Sequence, residues 1–310
     1  MTRQIIIRWN AAMPGQDDVR WGLKSRFELI EWRAYWTGRV NRGDLEETFG
    51  VSTPQASLDL RAYDAAAPGN ITYNSTEKAY LPTAAFEPKF LRLSADRYLL
   101  QLDAILKGAI VHIDTWFRSP PPAAVMPEVA RSVEPATLRA VLRAITARDE
   151  LDVKYQSLTN TRERPIAPHA LGFDGNRWHT RAWCPERHEF RDFVLSRIES
   201  VGASRPSPIS PDMDVEWHSF VDLKIAAHPG LDAERRATVE RDFGMKNGFL
   251  ILNTRIALSF YMERRWLLDL SDDVIPALRK QVTLTNAADV EEARRSAKKA
   301  AKARIAAAVG

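Results

Sequence analysis

The chain has 310 residues, 45% hydrophobic and 27% charged, with a formal net charge of +4. That is ample apolar material for packed cores and too much chain for one small domain, so two or three domains are expected. The single cysteine, Cys184, excludes an intrachain disulfide; with no bilayer-length apolar run, and too short an apolar patch in MTRQIIIRWNAAMPGQDD for a secretion signal, a cytoplasmic protein with no membrane partner is expected.

The segment WGLKSRFELIEWRAYW places Leu23, Phe27, Ile30 and Ala34 on one helical face and predicts a supporting helix. GDLEETFG follows as a short helix with Leu45 and Phe49 one turn apart. Gly50 stands where that helix must end and the chain reverse, and Val51 can plug the corner. Ser52 opens a second helix as N-cap, Pro54 fits its first turn, and Gln55 completes an S-x-x-Q capping box. Ala56, Leu60 and Tyr63 share its inner face, leaving Thr53, Gln55, Ser57, Asp59 and Arg61 outward. Short polar side chains at the start of a capped helix suit base-edge and phosphate contact in a major groove. NITYNSTEKAYLP then alternates around a turn at Thr76-Glu77-Lys78, a hairpin with a lysine near its tip. The ordered set is a winged helix-turn-helix, and a small helical bundle with a surface hairpin is the competing reading. A charge of +4 permits nucleic acid without requiring it, so the expectation of a DNA partner rests on this local pattern.

LSADRYLLQLDAILKG reads as a helix capped by Ser94, with Leu99, Leu102 and Leu106 apolar. The proline-rich stretch Arg118 to Val129 favours an extended spacer and a boundary. EPATLRAVLRAITARD is a helix with Pro135 in its first turn, packing through Leu138, Leu142 and Ile145. From Leu151 the period changes to two. ELDVKYQSL, RERPIAPHALGFDG, NRWHTRAWCPE and HEFRDFVLSRIESV are short alternating segments, with turns at Asp174-Gly175-Asn176 and Pro185-Glu186, and they predict a small β-barrel. Ser204 to Asp214 looks like a linker. Beyond it come a strand in EWHSFVDLKIAAHP, a helix in GLDAERRATVERDFG, and a strand passing into a helix in GFLILNTRIALSFYMERRWLL. The alanine-rich tail has acids first and bases later, which suits the helix dipole; a solvated helix end is favoured over a basic arm near DNA.

Alternation puts His179, Arg181 and Trp183 on one face of a strand and groups Arg191, Phe193, Leu195 and Arg197 on the next. Brought together by a hairpin, these would make a surface of guanidinium forks and rings suited to an anionic, nucleotide-like ligand. The competing reading packs the rings in the core and pairs the arginines with Asp192, Glu189 or Glu199; residue types do not set the pocket ahead of it. A zinc site from His169, His179, Cys184 and His188 lacks a C-x-x-C, and a hydrolytic set of Ser157, His179 and Asp192 lacks a nucleophile elbow. There is no Walker lysine motif and no G-x-G-x-x-G, so no catalytic residue, metal or cofactor is expected.

VKYQSL, ERPIAPHAL, RWHTRAWC and FRDFVLSRI together resemble a WYL domain, whose naming tripeptide stands here as Trp178-His179-Thr180. The pattern H-x-R-A-[YW]-C with F-R-D-F-x-L-x-R-I, followed by EWHSFVDLKIAAHPGLDAERRATVERDFGM, is similar to the BrxR/CapW-type regulators of phage-defence loci. The resemblance implies an α+β multidomain protein: a winged helix-turn-helix at 1–90, a helical linker at 91–134, an Sm/SH3-like β-barrel (WYL) sensing a ligand at 135–205, and an α+β dimerisation domain at 212–310. It implies a homodimeric, ligand-responsive repressor on an inverted-repeat operator of double-stranded DNA, the ligand being small and anionic, nucleotide-like or a nucleic-acid fragment. Its ligand positions would be Tyr155, Ser157, His179, Arg181, Arg191 and Arg197, with Trp183 beside them. The expected DNA-binding residues are Ser52, Thr53, Gln55, Ser57, Arg61 and Lys78. A nucleic-acid-processing or nucleotide-hydrolysing enzyme that uses the winged helix only for docking is the alternative.

Overall fold

The computed structural model describes residues 17–111, 115–117, 119–127, 129 and 131–309. These divide between two compact units, 1–128 and 129–310. Residues 1–16, which carry the apolar patch weighed as a secretion signal, lie outside the described residues, as do Arg118 and Glu128 of the proline-rich stretch.

The first unit contains α1 (Asp17–Thr37), α2 (Arg42–Phe49), α3 (Thr53–Ala66), the hairpin β1 (Ile71–Asn74) and β2 (Ala79–Pro82), and α4 (Ala95–Leu106). Phe27, Ile30 and Ala34 of α1 meet Leu45 of α2 and Ala56, Leu60 and Tyr63 of α3 in one core, as the helical spacing predicts. Gly50 takes φ +63 and closes α2, a backbone conformation that side chains resist. A bridge between Val40 and Tyr80 ties the hairpin to the start of α2. The wing is therefore a braced part of the unit rather than a loose loop.

Glu31 of α1 is fully buried, and its carboxylate organises the segment after the wing. Its two oxygens accept from three consecutive backbone N–H groups: Lys89 (2.7 Å), Phe90 (2.8 Å) and Leu91 (2.5 Å). Tyr63 donates to the same carboxylate at 3.2 Å. A second core forms where Trp32 meets Leu91, Leu102 and Phe117. Here the leucine spacing of α4 misleads. Leu102 is buried, but Leu99 is 59% exposed, because Tyr98 takes the inner side and stacks on Trp32 at 5.5 Å.

The second unit opens with α5 (Pro135–Ala147), followed by β3 (Asp149–Gln156), β4 (Thr161–Phe173), β5 (Trp178–Cys184), β6 (Glu189–Val194) and β7 (Ile198–Pro206). The helix buries Thr137, Val141 and Ala144, and the expected Leu138 and Ile145 pack against the same core, whereas Leu142 is 44% exposed and turned from it.

The sheet runs β6-β5-β4-β3-β7, all antiparallel. It does not close, and the expected Sm/SH3-like barrel is corrected to an open, curled sheet. The reason lies in the connection after β6. A 3-10 turn at Leu195–Arg197 carries the chain away to β7, which pairs with β3, and no ladder joins β6 to β7. A side chain spans part of the gap: the Val194 N–H donates to the Tyr155 hydroxyl at 3.2 Å. The concave side holds Val153, Tyr155, Ile166, Ala182, Cys184, Phe193 and Ile198, covered by Val141 and Ala144 of α5.

The chain then passes through a 3-10 turn (Pro211–Met213) and α6 (Val215–His218) into β8 (Phe220–Ala227), α7 (Ala233–Asp242), β9 (Phe249–Arg255), α8 (Ile256–Arg265), α9 (Ala277–Lys280), β10 (Val282–Leu284) and α10 (Ala287–Val309). Strands order as β10-β8-β9. Leu223 and Ile225 of β8 pack with Leu231, Val239, Leu268 and Val290. Residues expected as a linker are structured: Ile209 is 5% and Asp214 0% exposed. The tail is docked rather than solvated, since Ile305 of α10 packs with Trp183, Phe190 and Ile209. No helix among the described residues is long and apolar enough to cross a membrane.

Candidate nucleic-acid interface and the arginine face of the central sheet

The N-terminus of α3 is built as expected. Ser52 is extended, and its Oγ accepts from the Gln55 N–H at 3.4 Å, with Pro54 in the first turn. The reciprocal half of a capping box is absent. The Gln55 side chain instead donates to Asp59 Oδ1 at 2.9 Å. Asp59, expected outward, is 2% exposed and paired with Arg26 of α1 at 2.7 Å. A full capping box does form one helix earlier, between Asn41 and Asp44.

Ser52, Thr53 and Arg61 are exposed, and Gln55 and Ser57 half-exposed. The Ser57 hydroxyl donates to the Thr53 carbonyl at 2.9 Å, so its proton is committed within the helix. Lys78 stands at the wing tip with φ +50. Asn74 Oδ1 organises that tip by accepting from the N–H groups of Thr76 and Glu77 at 2.9 and 3.1 Å. The middle of the outer face of α3 belongs to a residue the sequence reading passed over. Leu58 is 52% exposed and lies opposite the buried Ala56, Leu60 and Tyr63, one turn before Arg61. An exposed leucine on a capped helix beside a wing is the signal that was available. Its methyl groups offer apolar contact to a thymine methyl.

The expected ligand residues do not converge. Tyr155 is buried in the concave core, edge-on to Phe193 at 5.2 Å. Ser157 closes the β3–β4 turn, its Oγ accepting from the Thr159 and Asn160 N–H groups at 3.2 and 3.0 Å. The β5–β6 register pairs Arg181 with Asp192, Trp183 with Phe190 and His179 with Val194. Arg191 and Phe193 therefore share the opposite face with Ala182 and Thr180, away from His179 and Arg181. Arg191 is exposed and paired with Glu189 at 3.1 Å. Arg197 is half-buried at the end of the 3-10 turn, and Trp183 packs against α10. Cys184 also faces the concave core, so it cannot join His179 on a metal. His169 and His179 instead engage Asp214 and Asp174.

Arg181 is nonetheless the centre of a built cluster. Its Nε donates to Asp214 Oδ2 at 2.7 Å and its Nη2 to Asp214 Oδ1 at 3.0 Å, a two-point fork. Nη2 also reaches Glu216 Oε2 at 2.9 Å, and Nη1 lies 3.4 Å from Asp192 Oδ1. Asp214 further holds His169 Nε2 at 2.9 Å and caps α6 by accepting from the Trp217 N–H at 3.1 Å. Tyr261 of α8 donates to Asp192 at 3.0 Å. Burial alone would raise the Asp214 carboxyl, but His169 and Arg181 hold it down at about 2. Burial likewise opposes the charge on Arg181, yet its carboxylate partners keep it above the usual arginine range. Burial pushes Glu216 up. One guanidinium facing three carboxylates is saturated, so this face holds the unit together rather than standing open to an anion. The competing reading, arginines paired with acids, describes Arg181 with Asp192 and Arg191 with Glu189.

Three family models match this architecture. Residues 22–104 match the BrxR transcriptional regulator winged helix-turn-helix domain, 136–203 the WYL domain, and 220–290 the BrxR transcriptional regulator C-terminal dimerization domain. A DNA-binding transcriptional repressor CapW of Escherichia coli (strain KTE188) is 37% identical over 250 residues, 80% of this chain and 84% of that protein. One from Stenotrophomonas maltophilia is 37% identical over 282 residues, 90% of this chain and 94% of that protein. The chain belongs to the BrxR/CapW family of transcriptional regulators. A relative of the same name from Pseudomonas aeruginosa is 36% identical over 253 residues, 80% of this chain and 84% of that protein.

In BrxR/CapW terms, the Asp214 cluster joins the segment matched as WYL to the segment matched as the dimerization domain. Sequence reasoning placed Asp214 in a linker and missed this role. The available signal was D-V-E-W, an aspartate three residues before the N–H it caps.

Proposed function

We propose that the chain is a homodimeric transcriptional repressor and not an enzyme, binding an inverted-repeat operator of double-stranded DNA. The observation that carries this is the capped α3, with Leu58 and Arg61 on its outer face and a braced wing beside it. Residues 1–90 would bind DNA, 91–134 link, 135–205 sense and 212–310 dimerise. Two recognition helices about 34 Å apart would meet successive major grooves on one side of the duplex. Gln55, Ser57 and Leu58 would face bases; Ser52, Thr53, Arg61 and Lys78 would hold phosphates.

Protection mapping on the DNA upstream of the chain's own gene tests the reading. A symmetric footprint supports it, and no protection of any duplex at low salt ends it. Within such a footprint, Gln55→Ala is expected to weaken operator binding and relax base preference. Lys78→Ala is expected to weaken all sequences alike. Equal losses for both variants on operator and random duplex would reject these roles.

The second copy has a candidate seat on the outer face of the β8–β9 pair. Phe220 and Ile251 are 46% and 50% exposed there, next to Phe249, within the segment matched as a dimerization domain. Asp222 and Lys224 on the same face suit a two-fold contact, where each meets its opposite. Ile251→Arg is expected to shift the protein from dimer to monomer in sedimentation velocity. An unchanged dimer would move the interface elsewhere.

We infer ligand response, and control of a phage-defence locus, from the family resemblance alone. An anionic or nucleotide-like ligand at the arginine face would have to displace Asp214 or Glu216 from Arg181, which would free α6. Complete switching asks for about 5.5 kcal/mol of differential affinity between the two states.

A further inference from the structure

Between the wing and the recognition helix lies a cleft of about 230 Å³, floored by Leu60 and walled by Asn41, Arg42, Tyr73, Lys78 and Tyr80, with Ser57 at its edge. Its lining contains two cations and no carboxylate. Arg42 and Lys78 are exposed, and neither has a hydrogen-bond or ion-pair partner among the described residues. Their spacing is fixed by the fold. The Val40 and Tyr80 backbones exchange hydrogen bonds of 2.9 and 2.8 Å, which anchors the wing two residues before Arg42. The acid nearest to Arg42 in sequence, Asp44, is turned inward, accepting from the Asn41 N–H at 2.7 Å and lying 3.7 Å from buried Arg33. Tyr73 is 55% exposed, its ring edge-on to Tyr80 at 5.2 Å, and its hydroxyl makes no bond among the described residues.

We infer that this cleft is the seat of one DNA backbone phosphodiester, held by Arg42 of α2 and Lys78 of the wing with the Tyr73 hydroxyl as a neutral donor. The inference rests on the DNA-binding reading above and adds to it a second helix, α2, as a contact to the strand beside the wing. The chemistry is that of a singly charged phosphate oxygen pair. Two unpaired cations on a braced frame supply charge without the cost of breaking an existing ion pair. The contact is blind to sequence, so it fixes register and affinity and leaves base preference to α3.

The test uses the full chain and the footprinted duplex, with Arg42→Ala, Arg42→Lys and Tyr73→Phe. Arg42 is exposed, so its replacement leaves the fold intact, checked by circular dichroism. Arg42→Ala is expected to lower affinity about tenfold near 0.1 M salt, on operator and random duplex alike, and to reduce the salt slope by about 1. Arg42→Lys should restore most of the slope. Single methylphosphonates, placed in turn along one half-site, should identify one position that weakens the parent protein but is silent in Arg42→Ala. An unchanged slope, or methylphosphonate losses that add to Arg42→Ala at every position, would overturn the seat while leaving DNA binding intact. Titration with inorganic phosphate separates the other source. Saturable binding of the free ion, abolished by Arg42→Ala, with duplex affinity unaffected by that substitution would assign the cleft to a soluble anion and reject the inference. A parent protein that ignores every duplex would reject both readings together.

Discussion

Asp214→Ala is expected to destabilise the second unit by about 3–5 kcal/mol, because it takes the two-point acceptor from a buried guanidinium, leaving it Glu216 and Asp192 alone, and removes a helix cap together. Arg181 loses both prongs of its fork, His169 loses its partner, and α6 loses the side-chain acceptor for its Trp217 N–H. The measurement is urea unfolding followed by tryptophan fluorescence, with a loss below about 1 kcal/mol rejecting the assignment. Arg181→Met with Asp214→Leu should recover only part of the loss, since Glu216 and Asp192 then lose their guanidinium and His169 its carboxylate. The same cluster sets an acid limit. Asp214 and Asp174 are held down to about 2: burial opposes this in each, while His169 and Arg181 outweigh it at Asp214, and His179 with the Asn176 and Arg177 N–H groups outweighs it at Asp174. A depressed folded-state value contributes stability that is fully present above the unfolded value near 4 and is lost as pH falls from about 4 toward 2. Each carboxylate accounts for about 2 kcal/mol across that window. Asp214→Asn should flatten the acid limb; an unchanged limb would place the acid-labile groups elsewhere.

Glu31→Ala is expected to cost the first unit a similar amount, about 3–5 kcal/mol. The carboxylate is the acceptor for the N–H groups of Lys89, Phe90 and Leu91, and nothing in the core can replace it. Three orphaned donors each carry a desolvation penalty. Glu31→Gln should fare little better, because one oxygen becomes a donor pointed at other donors. Tyr63 fits the same picture: burial first, then the Glu31 charge, pushes its phenol up, so it remains a donor. Hydrogen exchange at residues 89–91 reads the effect directly. Protection retained in Glu31→Ala would show that another group satisfies those amides.

Local rules carried the reading of the first unit far. The Ser52 cap, the Gly50 turn, the Thr76-Glu77-Lys78 hairpin tip and the apolar faces of α1 and α3 all follow from chemistry within a few residues. The capped helices and the BrxR/CapW resemblance likewise correspond to the matched domains. What escaped was set by partners distant in sequence. The sequence leaves Asp59 outward because nothing nearby reveals Arg26, which lies on another helix. It offers Arg181 to a ligand because the partners Asp214 and Glu216 sit beyond a proline-rich stretch that resembles a linker. It leaves the face of Arg191 open because a hairpin register is fixed by its turn and by packing on both sides, and a one-residue difference inverts every side chain. Sheet closure failed for the same reason: alternation predicts strands but not which edge the last strand joins.

The contact between Gln55, Asp59 and Arg26 has a bearing on how such regulators diverge. Gln55 does not wave freely at the surface; it is steered by an acid that is itself steered from α1. If Gln55 reads bases as proposed, its geometry is preset before any duplex arrives, and Arg26, remote from the bases, would bear on base preference through Asp59. A descendant that must recognise a new promoter would have to change this trio in concert, since altering the fingertip alone leaves the tendon pulling toward the old target.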